Sequence, residues 1–308
     1  MPVTVSREMI ANLTAGVKLV YSDAYQTSGG SWRSMATLIE STLAVETYAW
    51  LSELPTMREF IDERVVKELS EFSYSIRNRK FEATIGVARE VLEDEQLGQV
   101  KIRVQSMAEA AAAHFDQLLF DLIAQGTVVV CFDGQPFYSG AHHTGGMAVS
   151  NVTNLPLTSE NLETVLTAMK RIPLDNGQPM VVQPTHLLVP PELGFTAKRI
   201  LNSTYYPEAT GSGQPGALSE NPLKGSLEIV ESARLHVATE WHVLDCSHPV
   251  KPFIIQQRLA PEIRALDGSE GETETTFLRD IYLYGVRSRD NAGFGLWQYA
   301  YKSSGTGV

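Results

Sequence analysis

Residues 72–87 read FSYSIRNRKFEATIGV, and this stretch restricts the chain's options more than any other. Phe72, Tyr74 and Ile76 alternate with Ser73, Ser75 and Arg77. Beyond Asn78-Arg79-Lys80, Phe81, Ala83, Ile85 and Val87 alternate with Glu82, Thr84 and Gly86. Period-two alternation on both sides of a short polar turn predicts a β-hairpin with a basic tip of Arg77, Arg79 and Lys80. Two strands alone are marginal in water, so the apolar face of such a hairpin has to lie against something else.

The flanks predict helices before and after it. Residues 1–47 read as an arm with a short helix and a break at Gly29-Gly30. Trp50, Leu51, Leu54, Met57 and Phe60 fall near helical spacing, interrupted at Pro55. Val104, Met107, Ala111, Phe115, Leu118 and Leu122 recur at i, i+3, i+4 spacing and predict a long amphipathic helix over about 99–125, with Gly126 at its end and small residues, Ala110 to Ala113, on one side. TVVVCF (127–132) reads as a strand. Thr158 or Ser159 caps a helix through about Arg171. THLLVPPELGFTAKRIL reads as a buried strand followed by a helix opened by Pro190-Pro191. Residues 202–225, rich in Ser, Thr, Gly, Pro and Asn, read as a long loop, and six short strands follow from 226 to 302. The expected class is α+β, helices early and strands late.

Charge and cysteine content narrow the function. A net charge of −11 argues against free-standing nucleic-acid binding, which needs clustered cations. Cys131 and Cys246 stand in apolar surroundings without CxxC spacing, which excludes a zinc ribbon and points to a reduced, cytosolic protein. The N-terminal residues lack a signal-peptide pattern, and no run approaches the ~20 apolar residues of a membrane span.

The reactive-looking stretch is CFDGQPFYSGAHHTGG (131–146). His142 and His143 are adjacent, so on a strand they point to opposite faces, unlike paired metal ligands at HxxxH spacing. A metal site would need His186, His236 or His242 brought in by the fold. Cys131 would need a partner base to act as a nucleophile, and its flanks read as buried strand. GSGQPG (211–216) lacks the strand–turn–helix context of a phosphate loop, EVLEDE (90–95) reads as an acidic helix start, and RSRDN (287–291) as an exposed strand end or salt-bridge site. No catalytic constellation and no cofactor site emerges. The arm, the orphan hairpin and the long helix suit a subunit that gains stability from neighbours.

An ordered set of short motifs resembles the major head subunit T of Mu-like phages and prophages. It runs Ser31-Trp32, Tyr48-x-Trp50-Leu51, Leu54-Pro55-x-Met57-Arg58, Tyr74-x-Ile76, Asn78-Arg79-x-Phe81-Glu82-x-Thr84 and Glu90-x-x-Glu93-Asp94, and continues in CFDGQPFYSGAHH, HLLVPPEL and NAGFGLWQYAYKS. It departs from the family pattern at REVLEDE, where a second aspartate is expected, and the 202–225 loop matches weakly. The resemblance implies the Hong-Kong-97-type tailed-phage major capsid fold. Residues 1–47 would be the N-terminal arm and 48–150 the extended loop (about 64–86) with the peripheral domain and its spine helix. Residues 151–250 would be the axial domain, and 251–308 strands returning to the peripheral domain. It also implies self-assembly as hexamers and pentamers into an icosahedral shell around double-stranded DNA, in a virion assembled in the bacterial host cytoplasm. Scaffold or protease, portal and decoration proteins would be partners, with neither catalysis nor cofactor. Arg77, Arg79, Lys80, Phe72, Tyr74, Phe81 and Trp32 are the expected inter-subunit contacts. An encapsulin-type compartment of the same fold, or a metal-dependent hydrolase using His142 or His143, are the alternative readings.

Overall fold

The computed structural model describes residues 7–48, 51, 74–93, 97–144, 146–174, 177–207, 218–266 and 274–307. Along the chain, α1 (Arg7–Thr27), α2 (Trp32–Met35) and β1 (Ala36–Glu40) are followed by β2 (Val45–Thr47), β3 (Ser75–Arg77) and β4 (Arg79–Ala88). Next come α3 (Arg89–Glu93) and α4 (Leu97–Ala124), then the short strands β5 (His142–Thr144), β6 (Met147–Val149) and β7 (Val152–Thr153). α5 (Ser159–Lys170), β8 (His186–Val189), α6 (Pro191–Asn202), β9 (Tyr205–Pro207), β10 (Leu218–Glu220), β11 (Glu228–Glu231) and β12 (Trp241–Leu244) form the middle. The chain ends with β13 (Phe253–Leu266), α7 (Glu274–Arg279), β14 (Ile281–Phe294), a 3₁₀ turn at Trp297–Tyr299 and β15 (Ala300–Ser303).

Two sheets organise these elements. The first has the order β1-β13-β14-β4, with β13 and β14 as a long antiparallel ribbon and β1 parallel to β13. Its partner is α4, whose Val100, Val104, Met107 and Ala108 pack with Val87, Ile263, Tyr282, Tyr284 and Val286 of the sheet and with Ile10, Val17 and Tyr21 of α1. The second sheet has the order β11-β8-β12-β15-β7. Alternation sends Leu187, Val189 and Val243 to one face, under Leu162, Val165 and Met169 of α5 and Ala197, Ile200 and Leu201 of α6. Leu188, Val230, Leu244 and Ala300 point to the other face. There they meet Phe115, Leu119 and Ile123 of α4 and Phe253, Ile255 and Phe294 of the first sheet, so this cluster joins the two halves.

The predicted long helix, the capped helix and the strand–helix pair at 186–202 are present. Thr158 Oγ1 accepts from the Asn161 N–H at 3.2 Å, as an N-cap does. Several expectations need correction. The arm carries a helix of 21 residues rather than a short one, because α4 supplies the partner its thin apolar stripe (Ile10, Val17, Tyr21) needs. The strands flanking Asn78 do not form a hairpin with each other: β4 pairs with β14 and β3 with β2. One residue between them is too few for a hairpin turn. Asn78 is instead held by Nδ2–H bonds to Ser41 Oγ and the Leu43 carbonyl, and its Oδ1 accepts from Gln256. TVVVCF is a series of turns, not a strand. Only Val130 bridges, to Pro136, and proline has no N–H to extend a ladder. PFIIQQ and PEIRAL are one strand, β13, whose register shifts fall between Gln257 and Glu262, around Pro261. RSRDN lies inside β14, with Ser288 and Asp290 buried. Most of the helix expected over 48–66, together with Phe72 and the 211–216 glycines, lies outside the described residues.

Candidate functional site

The histidine loop begins where α4 ends. The Tyr138 N–H returns to the Gly126 carbonyl at 2.8 Å, and the Tyr138 ring lies where a Cβ on residue 126 would stand, 2.5 Å from Cδ2. Glycine is therefore required there by close approach. Between these points the chain reverses through Gly134 (φ 77°), with the Asp133 carboxylate at its centre. Asp133 Oδ1 accepts from the Gln135 N–H at 3.0 Å and from the Cys131 thiol at 3.1 Å, and Oδ2 meets His142 Nδ1 at 2.6 Å. His142 Nε2 faces the Phe137 carbonyl at 3.2 Å, so both ring nitrogens face acceptors. The imidazole stacks on Trp297, centroids 4.0 Å apart and 5° from parallel. Asn151 rivets the same loop to the C-terminal turn. Its Nδ2 donates to the Phe137, Trp297 and Ala300 carbonyls, and its Oδ1 accepts the Ser139 N–H.

Cys131, Asp133 and His142 place one donor atom each within 4.8 Å of one another, the composition of a metal site. The geometry is that of a hydrogen-bonded turn. Burial drives the Cys131 thiol far up, and the adjacent Asp133 adds to the effect, so neither a thiolate nucleophile nor a thiolate ligand is favoured. Burial also raises Asp133, but the hydrogen bonds from His142, Cys131 and the Gln135 N–H outweigh it and hold the carboxyl below its usual range. His142 and His143 diverge as adjacent strand residues do: on β5 the first is buried and the second exposed. They do not share a site.

A second closed network lies on the other side of Tyr138. Its O–H donates to His242 Nδ1 at 3.0 Å, and His242 Nε2–H donates to Glu240 Oε1 at 2.7 Å. Glu240 Oε2 pairs with Lys302 Nζ at 2.8 Å. His242 is fully buried and pushed down, burial outweighing the carboxylate. Glu240 is held at about 2: burial would raise it, but the bonds from His242 and Lys302 prevail. Neutral His242 thus donates one N–H and accepts one O–H. This buried relay resembles a catalytic arrangement in composition, but its groups are bonded to one another.

The expected contact residues divide sharply. Arg77, Arg79 and Lys80 are exposed and sit on either side of the pinned Asn78, with the Arg79 guanidinium 5.2 Å from the Phe81 ring centroid. Phe81 is half-buried against His114 of α4, at 4.2 Å between centroids. The Tyr74 hydroxyl oxygen accepts the Phe294 N–H at 2.8 Å. Trp32 is 4% exposed, packs on Phe115 and donates its backbone N–H to Asp116 at 2.8 Å. It belongs to the chain's own core. The sequence marked Asn78 only as a turn residue, and did not mark Asn151 or the Tyr138–His242–Glu240–Lys302 relay. Only Glu240 and His242, two apart on a strand and so on one face, carried a local signal.

A family model described as the Mu-like prophage major head subunit gpT matches residues 10–155, 146–235 and 235–306. The Mu-like prophage FluMu major head subunit of Haemophilus influenzae is 25% identical over 301 residues, 98% of this chain and 75% of that protein. The major capsid protein of Escherichia phage Mu is 25% identical over 269 residues, 87% of this chain and 65% of that protein. Among solved structures, the procapsid of bacteriophage JBD30 superposes with a TM-score of 0.60 at 29% identity, covering 97% of this chain and 76% of its own. The JBD30 capsid decorated with minor capsid protein trimers gives 0.55 at 26% identity, over 70% of this chain and 93% of that one. A virus-like particle from Pyrococcus furiosus shares the fold at 9% identity and a TM-score of 0.50, over 94% and 98%.

Proposed function

The chain belongs to the Mu-like prophage major head subunit gpT family and is a structural subunit of a phage head, and from that premise we propose how it builds the shell. Copies assemble as hexamers and pentamers into an icosahedral head around double-stranded DNA, inside the bacterial host cytoplasm, without catalysing a reaction. α4 is the spine of a peripheral domain built on the first sheet. The second sheet with α5 and α6 is the axial domain, and the extended loop expected over about 64–86 has its described part in β3 and β4. The single observation that carries this reading is the JBD30 procapsid match, which spans 97% of the chain at 29% identity. Buried hydrogen bonds support it too, because Asn151 and the Tyr138–His242 pair tie the loop after the spine to the axial sheet.

Arg77, Arg79 and Lys80 are the charges we assign to inter-subunit contact, since Asn78 holds them in place while their heads remain exposed. Phe72 completes the assignment from outside the described residues. Tyr74 and Phe81 support this edge from within the chain, while Trp32 serves the core against Phe115. A net charge of −11 suits a wall that confines DNA without adhering to it. Scaffold or protease, portal and decoration proteins are the partners such a shell requires.

The test is negative-stain electron microscopy of the purified chain, alone and with its scaffold, beside size-exclusion light scattering. Shells, tubes or capsomer rings are expected. A compact monomer at every concentration would overturn the reading.

A further inference from the structure

α1 and α4 cover one face of the first sheet, and alternation turns every second residue of β4 and β14 to the opposite face. On the covered face Arg79 stands across from Asp290, so that rung carries both signs. Both residues belong there, because Arg79 lies over Phe81, which packs on His114 of α4, and Asp290 Oδ1 meets His114 Nε2 at 2.9 Å. On the opposite face Glu82 stands across from Arg287, and Glu262 of β13 flanks that arginine on its other side. That rung carries both signs too.

The next rung on the same face does not. Lys80 stands directly across from Arg289, and β13 supplies Leu259 there, after the bulged Arg258. Side chains so placed have Cβ atoms about 5 Å apart, and like charges at that spacing repel. Neither cation has a hydrogen-bond or ion-pair partner among the described residues. Lys80 is exposed, and Arg289 is half-buried with its Nε enclosed and unbonded. Glu82, next on this face of β4, accepts the Thr84 hydroxyl at 2.8 Å. We propose that the Lys80–Arg289 rung is a carboxylate-binding site, filled by an Asp or Glu side chain of a second copy of this chain. This rests on the reading that the chain self-assembles, and it adds Arg289 to the basic edge assigned to that contact. A carboxylate between the two cations replaces their repulsion with charge-assisted hydrogen bonds. The chain carries 36 acidic residues against 25 Lys and Arg, so a neighbouring copy has carboxylates to spare. The flanking rung selects a side chain over nucleic acid. A phosphate backbone needs a continuous track of cations, and Glu82 and Glu262 interrupt the track on both sides of Arg287.

The test couples carboxylates to amines with a carbodiimide in the concentrated full-length chain, mixed from unlabelled and isotope-labelled copies. Peptide mass spectra should show an amide between Lys80 and an Asp or Glu of a differently labelled copy. Lys80→Glu gives Arg289 a partner within its own chain. It should leave the melting temperature of the unassembled subunit unchanged or raised, yet cut the assembled fraction about tenfold. Arg289→Gln should lower assembly in the same way, and Arg289→Lys, which keeps the charge, should retain it. Absence of the inter-copy Lys80 amide, or normal assembly of Lys80→Glu or Arg289→Gln, would overturn the proposal. So would retention of short duplex DNA by wild type that Lys80→Glu abolishes without changing assembly, since the ligand would then be phosphate. Light scattering of the wild-type mixture separates the two readings. Particles without the inter-copy amide overturn the rung contact alone, and the amide in copies that form no particle supports the contact and overturns the shell.

Discussion

Tyr138, His242, Glu240 and Lys302 show what a buried polar group requires and what it yields. Each polar atom has a partner, so the relay avoids the desolvation penalty of an orphaned group while tying β12 to β15 and to the spine's end. It also makes folding pH-dependent with a defined sign. Glu240 is held at about 2, below its ordinary value near 4.5, so the unfolded chain binds a proton that the folded chain refuses. The stability this contributes is present above about pH 4.5 and is lost as pH falls toward about 2; it amounts to about 3 kcal/mol. His242, pushed down by burial, adds a loss that begins as pH falls below about 6.5, where the unfolded imidazole takes up its proton first. Urea denaturation of the unassembled subunit at pH 7, 5.5 and 3.5 should therefore show wild type losing more stability on acidification than Glu240→Gln. Equal acid sensitivity in the two proteins would remove the relay from the account. The spacing of Glu240 and His242 on one strand face was legible in the sequence, but Tyr138 and Lys302 lie 104 residues before and 60 after His242, distances that no local pattern spans.

Elements with a full apolar stripe were legible, and elements defined by their partners were not. α4 appears in the sequence because its burial repeats for seven turns, whatever packs on it. The strands around Asn78 appear as strands but with the wrong partners, since alternation reports a half-buried strand and not the identity of its neighbour. The VVVC run reads as buried strand by composition, yet Val128 and Val130 are exposed because Gly126 and Gly134 bend the chain there before a ladder can form. Gly126 is where this geometry is most demanding. An added Cβ would press on a Tyr138 ring that is itself tethered through its hydroxyl to His242. Gly126→Ala should therefore destabilise the subunit by about 1–3 kcal/mol, the usual range for overpacking. Gly16→Ala, in open space mid-helix, should stabilise by up to about 1 kcal/mol. Chemical denaturation of the two variants distinguishes them by the opposite direction of the midpoint shift at constant slope. A Gly126→Ala subunit as stable as wild type would show that Tyr138 moves aside freely.

At the scale of the whole molecule, the acidic subunit keeps a compact set of cations at a rigid edge. Arg77, Arg79 and Lys80 stand within four residues in a chain of net charge −11, and their backbone is fixed by β2, β14 and the Asn78 side chain. Exposed ion pairs add little to the stability of one chain, so such a cluster has little to contribute within a monomer. Against an acidic neighbour it does more, because like charge between subunits opposes closure of a shell and a local patch of opposite sign fixes where two copies meet. Reversing the three to glutamate subtracts two charges at each position, taking the formal charge from −11 to −17. The folded subunit should remain soluble, with a melting temperature close to wild type, because these heads contact water. Its heads should fail to form under conditions where wild type assembles, and the alanine triple variant should fall between. Wild-type assembly should also become sensitive to ionic strength above about 0.15 M, where the screening length is about 8 Å and exposed charges lose their reach. Micrographs of normal heads from the glutamate variant would show that the basic edge is only a solvated face.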